Sequence, residues 1–523
     1  MENEDIELFA SCLAGLEAPL ADELRRMGVR RVRPLAGGVA AFCDVRGALS
    51  ACLWSRLASR VLAVVGRVDA SDAERLHEGV RGLPWEDVLA CGASIAVQTH
   101  GANDELRNTR FTALKVKDAV CDRMLGQTGR RPEVDPEEPD ALIDVRVRGA
   151  RATLSLDLSG GPLYRRTWLS ADDGSDAPLS CAQAAGLLAL ADWQRLCEAG
   201  AALVDPACGD GALVVEAAAW ACDLAPGLVR ERWGFFGWGK SEPEVWNDLV
   251  READERFERG LARMAGVDAL EVPSSAPPDR ARVRIAGASS SSPAIARARL
   301  LARRAGLRQA LTVELADAQS ADGQVARACA AASRDASDGA ACCVVACILP
   351  TGDRALSEAR AQADAAAFAA ASAAAPEGSV FAAVGGEGVE ERFGVAPALG
   401  VEIGKGRVAA KALVFDAPPV GTTEVSVPDP AGGAEHLVEV FEEASGQFAA
   451  RLRKTARERR KWARREGVTC YRIYDADLPD YAVAVDVYEG AGQAAGNTYV
   501  HVAEYAPPRS VDPVKARRRF DDV

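Results

Sequence analysis

The residues whose types and spacing could support ligand chemistry lie at positions 203–211, which read LVDPACGDG. An apolar run ends in Asp205, a glycine-rich turn follows, and a helix-forming Ala/Leu/Val segment comes next. Gly209 and Gly211 let the backbone approach a ligand, helix N-terminal amides favour an anionic group, and a strand-end carboxylate can hold hydroxyls or a cation. The pattern predicts the first strand, loop and helix of a nucleotide-binding α/β sheet. The predicted ligand contacts are Asp205, Ala207, Cys208, Gly209 and Gly211.

The turn lacks the spacings G-x-G-x-x-G and G-x-x-x-x-G-K-S/T, so a dinucleotide or a triphosphate is the weaker interpretation. With 523 residues, 48% of them apolar and 26% charged, the chain predicts a globular protein of two to four domains. No apolar run approaches the length of a membrane span, and the acidic N-terminus is unlike a signal peptide. We therefore predict a cytoplasmic protein with no membrane partner.

Cysteine and histidine usage bears on metal binding. The fourteen cysteines form no C-x-x-C pairs, and the four histidines lie far apart at 77, 100, 436 and 501. This pattern favours reduced, buried thiols over a disulfide framework or a zinc site. We predict no metal.

The net charge of -14 counts mildly against a nucleic-acid partner, but the local distribution matters more. Residues 451–465 read RLRKTARERRKWARR, and residues 515–519 add KARRR. Either run could be a solvated helix face. Interleaved Trp462, Tyr471 and Tyr474 favour an RNA-contacting segment, because cations hold phosphates and aromatic rings stack bases, unless the tyrosines belong to a core. The predicted contacts here are Arg451, Arg453, Lys454 and Lys461.

Two earlier stretches also carry cations. Residues 6–45 alternate between strand and helix patterns typical of a small α+β module. A helical piece then places Arg56 and Arg60 four residues apart, followed by a probable strand at 61–68. Near the predicted start of a helix, further cations and amides together suit a phosphate. These residues are Arg107, Asn108, Arg110, Lys115 and Lys117.

Five ordered motifs give the chain a family resemblance. They read LWSRLASR, LRNTR with ALKVKDAV, DLSG with LYRR, D-P-x-C-G-x-G and RWGFFGW. In this order they resemble the bacterial bifunctional 23S ribosomal RNA guanine methyltransferases. The resemblance implies an α/β protein with an N-terminal ferredoxin-like and THUMP α+β module, a central Rossmann-like methyltransferase sheet and a small C-terminal α+β segment. Its implied ranges are 1–46 (ferredoxin-like), 47–160 (THUMP), 161–417 (methyltransferase), 418–439 (linker) and 440–523 (a basic segment resembling the start of a second methyltransferase half).

The resemblance also implies S-adenosylmethionine as cofactor. Besides the turn at 205–211, it places Ser289 where the family has an acidic ribose-binding residue and Asp317 where it has an adenine-binding aspartate. The family's catalytic N-P-P-Y tetrad corresponds to Ile348, Leu349, Pro350 and Thr351. In this tetrad the asparagine amide oxygen and a proline carbonyl orient the target amino group, and the aromatic ring stacks on the base. Isoleucine has no acceptor and threonine has no ring.

The sequence leaves three candidate functions. The leading one is S-adenosylmethionine-dependent methylation of a guanine exocyclic amino group in 23S ribosomal RNA. The alternative is an RNA-binding protein with an impaired methyltransferase domain, beside a separately encoded partner that supplies the second methyltransferase half. Methylation of guanine N7 is not expected, because no second glycine-rich turn follows residue 440. Methylation of a small molecule or a protein is disfavoured by the RNA-type motifs.

Overall fold

The computed structural model describes residues 5–166, 179–228, 230–265, 284–315, 342–348, 354–404, 409–428, 435–490, 492, 495–506 and 513–523. They form the predicted N-terminal α+β module, central α/β sheet and small C-terminal α+β segment. Within these ranges no helix is both long and apolar enough to cross a membrane.

The N-terminal module is built on one seven-stranded sheet in the order β2-β3-β1-β4-β7-β6-β5. Only the β5–β6 pair is parallel among these neighbours. Side chains alternate between the two faces of each strand, so Leu8 and Ala10 of β1 are buried in the core while Phe9 lies on the other face. The strands are β1 (Ile6–Cys12), β2 (Arg30–Leu35), β3 (Gly38–Cys43), β4 (Ala58–Asp69), β5 (Ile95–His100), β6 (Ala141–Arg148) and β7 (Arg151–Asp157).

Helices cover the core face of this sheet, and three of them begin at a side-chain cap. Asp44, Asp72 and Asn108 each accept hydrogen bonds from amides of the following turn, which satisfies donors that the helix itself leaves open. The helices are α1 (Glu17–Arg26), α2 (Val45–Trp54), α3 (Ala73–Arg81), α4 (Trp85–Val88) and α5 (Thr109–Thr128).

Strand β4 joins the two parts of the module that we predicted as separate domains. It has 12 residues, and it pairs with β1 on one side and with β7 on the other. Because the same backbone serves both pairings, the ferredoxin-like and THUMP parts share a single continuous sheet.

The central sheet also has seven strands, in the order β10-β9-β8-β11-β12-β14-β13. The first five are parallel, and β14 runs antiparallel to both of its neighbours. The strand order reverses between β8 and β11, and open α/β sheets bind ligands at the carboxyl ends of strands at such a reversal. The strands are β8 (Ala202–Asp205), β9 (Ile285–Ser289), β10 (Thr312–Leu315), β11 (Cys342–Ile348), β12 (Val380–Gly385), β13 (Leu399–Ile403) and β14 (Ala410–Phe415).

The described helices of this part are α6 (Cys181–Leu190), α7 (Trp193–Glu198), α8 (Ala212–Ala221), α9 (Pro243–Ala265), α10 (Ser292–Arg304) and α11 (Arg354–Ala373). The alanine-rich helix α11 buries one of its faces. Phe368, Ala361 and Ala365 are buried in a second apolar cluster, with the Phe368 ring 5.6 Å from that of Phe393. Alanine has too little polarity contrast for its buried face to be visible in the sequence.

The predicted linker at 418–439 contains a hairpin instead of an irregular connection. Strands β15 (Thr423–Pro428) and β16 (Glu435–Val440) pair antiparallel. Beyond it lie α12 (Ser445–Glu466), the antiparallel strands β17 (Cys470–Asp475), β18 (Val483–Glu489) and β19 (Thr498–Glu504), and α13 (Pro513–Asp522). Tyr474 is 2% exposed and packs on Phe448, so it is a core residue and not a base-stacking one.

A buried ionic network connects the N-terminal module to the central sheet. Glu216 on α8 accepts hydrogen bonds from Arg56 (3.3 Å) and from Arg166 (3.2 Å). The Arg56 guanidinium also donates to the carbonyl of Leu224 at 2.7 Å and lies over the Trp220 ring. With its side chain 6% exposed, Arg56 cannot reach RNA, and our prediction of a phosphate contact there was wrong.

Glu216→Gln should lower the free energy of unfolding by about 3–5 kcal/mol, because two buried guanidinium groups then lose the carboxylate that they share. The comparison variant is Asp248→Asn, which removes an exposed ion pair with Arg251 and should change stability by less than about 1 kcal/mol. Urea denaturation followed by circular dichroism measures both. If both variants lose equally little stability, the buried network contributes no more to the free energy of unfolding than an exposed ion pair does.

Candidate functional site

The loop after β8 brings the first group of predicted ligand residues together. It connects β8 to α8 at the point where the sheet order reverses. The Cys208 amide donates to the Ala288 carbonyl of β9 at 2.8 Å, and the Gly211 amide donates to the Cys208 carbonyl at 2.8 Å. These bonds fix the turn against the neighbouring strand, so its shape does not depend on a ligand.

Asp205 lies at the end of β8 and is 1% exposed. Its Oδ1 accepts from the Ala207 amide at 3.1 Å, whereas its Oδ2 has no hydrogen-bond partner among the residues that the structure describes. Burial raises the pKa of this carboxyl well above its usual range; the Ala207 amide opposes the shift, and Asp364 and Asp210 add to it. A buried, unpaired carboxyl oxygen is costly, so this atom is poised to gain from a ligand that donates a hydrogen bond.

The two glycines of the turn differ in what surrounds them. Gly211 has φ +86°, and a Cβ there would lie 2.6 Å from the Cβ of Ala298 on α10, so this glycine permits close packing of two helices. Gly209 has φ +52°, and a Cβ there would meet no atom within 4 Å. Gly209 therefore faces open space, as a backbone approached by a ligand requires.

Ser289 ends β9, next to the turn, and is 3% exposed. Its hydroxyl oxygen accepts from the Ser291 amide at 3.3 Å, and its own hydrogen can donate to a second group. Cys208 packs against Gly287, where a Cβ would come within 3.1 Å of the sulfur. Burial is also the main reason that the pKa of the Cys208 thiol is raised, so it behaves as a neutral packing group.

The tetrad position is only partly described. Ile348 ends β11, and its side chain is 1% exposed within the same apolar cluster as Phe393 and Val389. Asp317 and residues 349–351 lie outside the described residues. At the carboxyl end of β11, the structure therefore places an apolar side chain that faces the core.

Two acidic residues near Asp205 were not singled out from the sequence. Asp210 follows Gly209, and Asp364 lies on α11 beside the same turn. Burial raises the pKa of Asp364 to about 6, and Arg360 at 3.7 Å opposes that shift. Its signal in the sequence was one of only two acids, with Glu358, in an alanine-rich helix.

The cations predicted to hold RNA at α5 are mostly accessible. The Asn108 side chain is committed to the helix cap, accepting from the amides of Arg110 (3.0 Å) and Phe111 (3.1 Å), so it is not offered to phosphate. Lys117 pairs with Asp118 at 2.7 Å. Arg107 and Arg110 are exposed, and Lys115 lies half-buried beside the Phe111 ring.

The remaining predicted cations lie in two other places. Arg60 is half-buried on β4 and pairs with the buried Asp157 of β7. On α12, Arg451 bonds to Asp477 at 3.0 Å, and the other predicted cations are exposed along the helix. These are Arg453, Lys454 and Lys461. The structure thus keeps α5 and α12 as separate basic surfaces.

Gly209→Ala should weaken binding of the ligand at this turn by at least tenfold, because the added methyl group occupies the open space above the backbone. Gly28→Ala is a matched control, since Gly28 has φ +79° and equally free surroundings far from the turn. Both should cost about 1–2 kcal/mol of stability through left-handed backbone strain. Calorimetric titration and thermal unfolding separate the two effects; equal affinities would contradict a ligand at Gly209.

Asp364→Asn should make stability less dependent on pH. The unfolded carboxyl titrates near 3.9 and the folded one at about 6, so the folded state binds the extra proton between these values. Stability contributed by the protonated carboxyl is complete below about pH 4 and falls by ~2–3 kcal/mol as pH rises through 6. Urea denaturation from pH 4 to 8 should show this fall in the wild type and in Asp416→Asn, an exposed control, but not in Asp364→Asn.

Comparison with known proteins places these features in a family. Three family profiles match consecutive parts of the chain. They are the RlmL ferredoxin-like domain at residues 7–62, the THUMP domain at 70–157 and the RMKL-like methyltransferase domain at 170–327.

Similar folds occur in solved structures. SMU.472, a putative methyltransferase complexed with SAH, aligns with a TM-score of 0.62 and 22% identity over 80% of this chain and 99% of that chain. TrmN from Thermus thermophilus aligns with a TM-score of 0.52 and 19% identity, covering 79% and 99%. At these identities the likeness shows a shared fold.

Closer relatives carry the name ribosomal RNA large subunit methyltransferase K/L. The protein from Stutzerimonas stutzeri is 36% identical over 529 residues, which cover 99% of this chain and 67% of the relative. The protein from Pseudomonas paraeruginosa is 35% identical over 522 residues, with the same coverage of both. The matched profiles, the strand order and these relatives agree: the chain belongs to the ribosomal RNA large subunit methyltransferase K/L family.

Proposed function

We propose that this protein methylates large-subunit ribosomal RNA with S-adenosylmethionine, at the exocyclic amino group of a guanine in 23S RNA. The observation that carries the proposal is the unpartnered Oδ2 of Asp205, buried beside an open glycine turn at the reversal point of a Rossmann-like sheet. Family membership supports the chemistry and the class of RNA. The cytoplasm fits such a substrate.

The residues around the turn fit S-adenosylmethionine. Asp205 can accept a hydrogen bond from the cofactor, Gly209 leaves room for it, and the Ser289 hydroxyl can donate to a ribose oxygen. When bound, the cofactor supplies an electrophilic methyl group. Ser289 makes a neutral bond where the family has a carboxylate, and charge-assisted bonds are roughly twice as strong, so we expect weaker cofactor binding than in relatives with the acid.

The base must be oriented by residues at the end of β11. Ile348 offers no acceptor for the amino hydrogens, since its apolar side chain is packed in the core. Backbone carbonyls must then align the lone pair of the amino group, and we propose the Pro350 carbonyl for this role. Leu349 and Thr351 belong to the same proposed base-binding site. Asp317 is proposed as the adenine contact.

RNA is held by the accessible cations of α5 and α12 and by Arg60. These groups hold phosphates, which positions the substrate without reading its sequence. Such binding should weaken steeply with salt.

A second candidate function rests on Ile348. In this candidate the target base lacks an orienting group, because the tetrad position has neither the asparagine acceptor nor the aromatic ring. The protein then binds RNA and the cofactor but transfers methyl groups slowly or not at all. A separately encoded protein that supplies the second methyltransferase half would then be its working partner.

Asp205→Ala should weaken S-adenosylmethionine binding by up to about tenfold, because a hydrogen bond between neutral groups is worth ~0.5–1.5 kcal/mol. Isothermal titration calorimetry measures this, with the exposed Asp416→Ala as the control. An unchanged affinity would place the cofactor elsewhere. Transfer of a labelled methyl group to unmodified 23S RNA then separates the two functions, since binding without transfer supports the second.

A further inference from the structure

The seven-stranded N-terminal sheet has one face that the described helices do not cover. Helices α1 to α5 pack on the face that carries Leu8, Ala10 and Leu154, and all of these join one apolar core. Phe9 and Leu62 face the other way and are absent from that core. This second face is covered around Leu62 and Asp157, which are 3% and 0% exposed, and it is more open at β1 to β3, where Phe9 and Phe42 are half-buried. We call this second face the open face.

Two aromatic rings lie on the open face, each beneath a guanidinium group. The Arg146 Cζ lies 4.9 Å from the Phe9 ring centroid, and the Arg31 Cζ lies 4.0 Å from that of Phe42. In the register of β1 and β3, Phe9 is opposite Ala40 and Phe42 is opposite Glu7. The rings are therefore diagonal neighbours on one face, a separation of roughly 7–8 Å.

Positive charge is concentrated on this face, although the whole chain carries -14. Cross-strand register and the ring contacts place eight arginines here: Arg30, Arg31, Arg33, Arg60, Arg67, Arg146, Arg148 and Arg151. The carboxylates that face or border them are Asp5, Glu7, Asp69, Asp144 and Asp157. Eight guanidinium groups against five carboxylates leave a local excess of three positive charges among these residues.

Several of these ion pairs can exchange partners at little cost. Arg30 and Arg31, with side chains 56% and 59% exposed, share Asp5, and Arg67, 49% exposed, pairs with Glu7. Exposed pairs contribute little to stability, so a phosphate can replace the carboxylate. Arg60 differs, because its partner Asp157 is buried.

We propose that the open face binds a single-stranded segment of RNA. The guanidinium groups of Arg146 and Arg31 leave the rings to hold phosphates, and one base then stacks on Phe9 and a second on Phe42. The inference rests on the proposed function for the class of nucleic acid. Flat aromatic rings on a sheet suit unpaired bases, which can be splayed out, whereas the bases of an A-form duplex are stacked away from a flat surface. Stacking on an aromatic ring tolerates any base, so this surface would hold the RNA near its modification site without reading sequence.

The test is fluorescence anisotropy of the full chain with a labelled 12-nucleotide single-stranded RNA and with a 12-base-pair RNA duplex, without cofactor. Phe9→Ala and Phe42→Ala should each weaken single-strand binding about tenfold and leave duplex binding unchanged. Leu399→Ala is the control, since Leu399 is an exposed apolar residue on the central sheet. Thermal unfolding of each variant shows whether it remains folded.

Salt dependence provides a second readout that does not require removal of a ring. Arg33→Ala should reduce the slope of log affinity against log salt by about 0.7, the value expected for one phosphate of a single strand. Phe42→Ala should lower the affinity and leave the slope unchanged. Unchanged single-strand affinity in both phenylalanine variants, with a folded protein, would overturn the proposal.

The two proposals fail separately. Loss of single-strand binding in the phenylalanine variants, in a protein that binds no S-adenosylmethionine, would support the open face and contradict the methyltransferase function. If Phe9→Ala and Phe42→Ala keep full single-strand affinity and still bind the cofactor and transfer the methyl group, the open-face proposal is contradicted. The methyltransferase function is then supported.

Discussion

Two buried guanidinium groups share one carboxylate between the N-terminal module and the central sheet. Arg56 leads into β4, Arg166 follows the THUMP part, and Glu216 lies on α8, one turn after Gly211. Three charges taken out of water are tolerable only when each is paired and hydrogen-bonded, so the geometry here is tightly constrained. The helix that begins after Gly211 is thereby tied to the module on which we place most of the proposed RNA contacts.

Local signals in the sequence predicted the ligand turn well. An apolar run, an acid and two glycines specify strand, turn and helix within a dozen residues, and the structure has that unit at residues 202–221. The probable strand predicted at 61–68 likewise lies within β4 (Ala58–Asp69). Each of these predictions depends on neighbours in the chain, which a sequence displays directly.

Predictions that depended on distant contacts were less successful. Arg56 and Arg60 are four residues apart, a spacing typical of neighbouring surface cations on a helix. Arg56 is nevertheless buried, because it pairs with Glu216, which is distant in the sequence. The one available signal was Glu216 itself, a lone acid within the apolar run that forms α8. The open face was equally hidden, because β1 and β3 meet only after folding.

The shared strand β4 fixes the distance between two proposed RNA-binding surfaces. A chain with two binding modules on a flexible linker can adjust their separation, and it loses affinity to the entropy of that freedom. Here β4 links the strands of both parts in one sheet, so the hydrogen-bond register fixes the distance between the start of α5 and the rings of the open face. If both surfaces bind RNA as proposed, an RNA that does not match this fixed distance can contact only one of them.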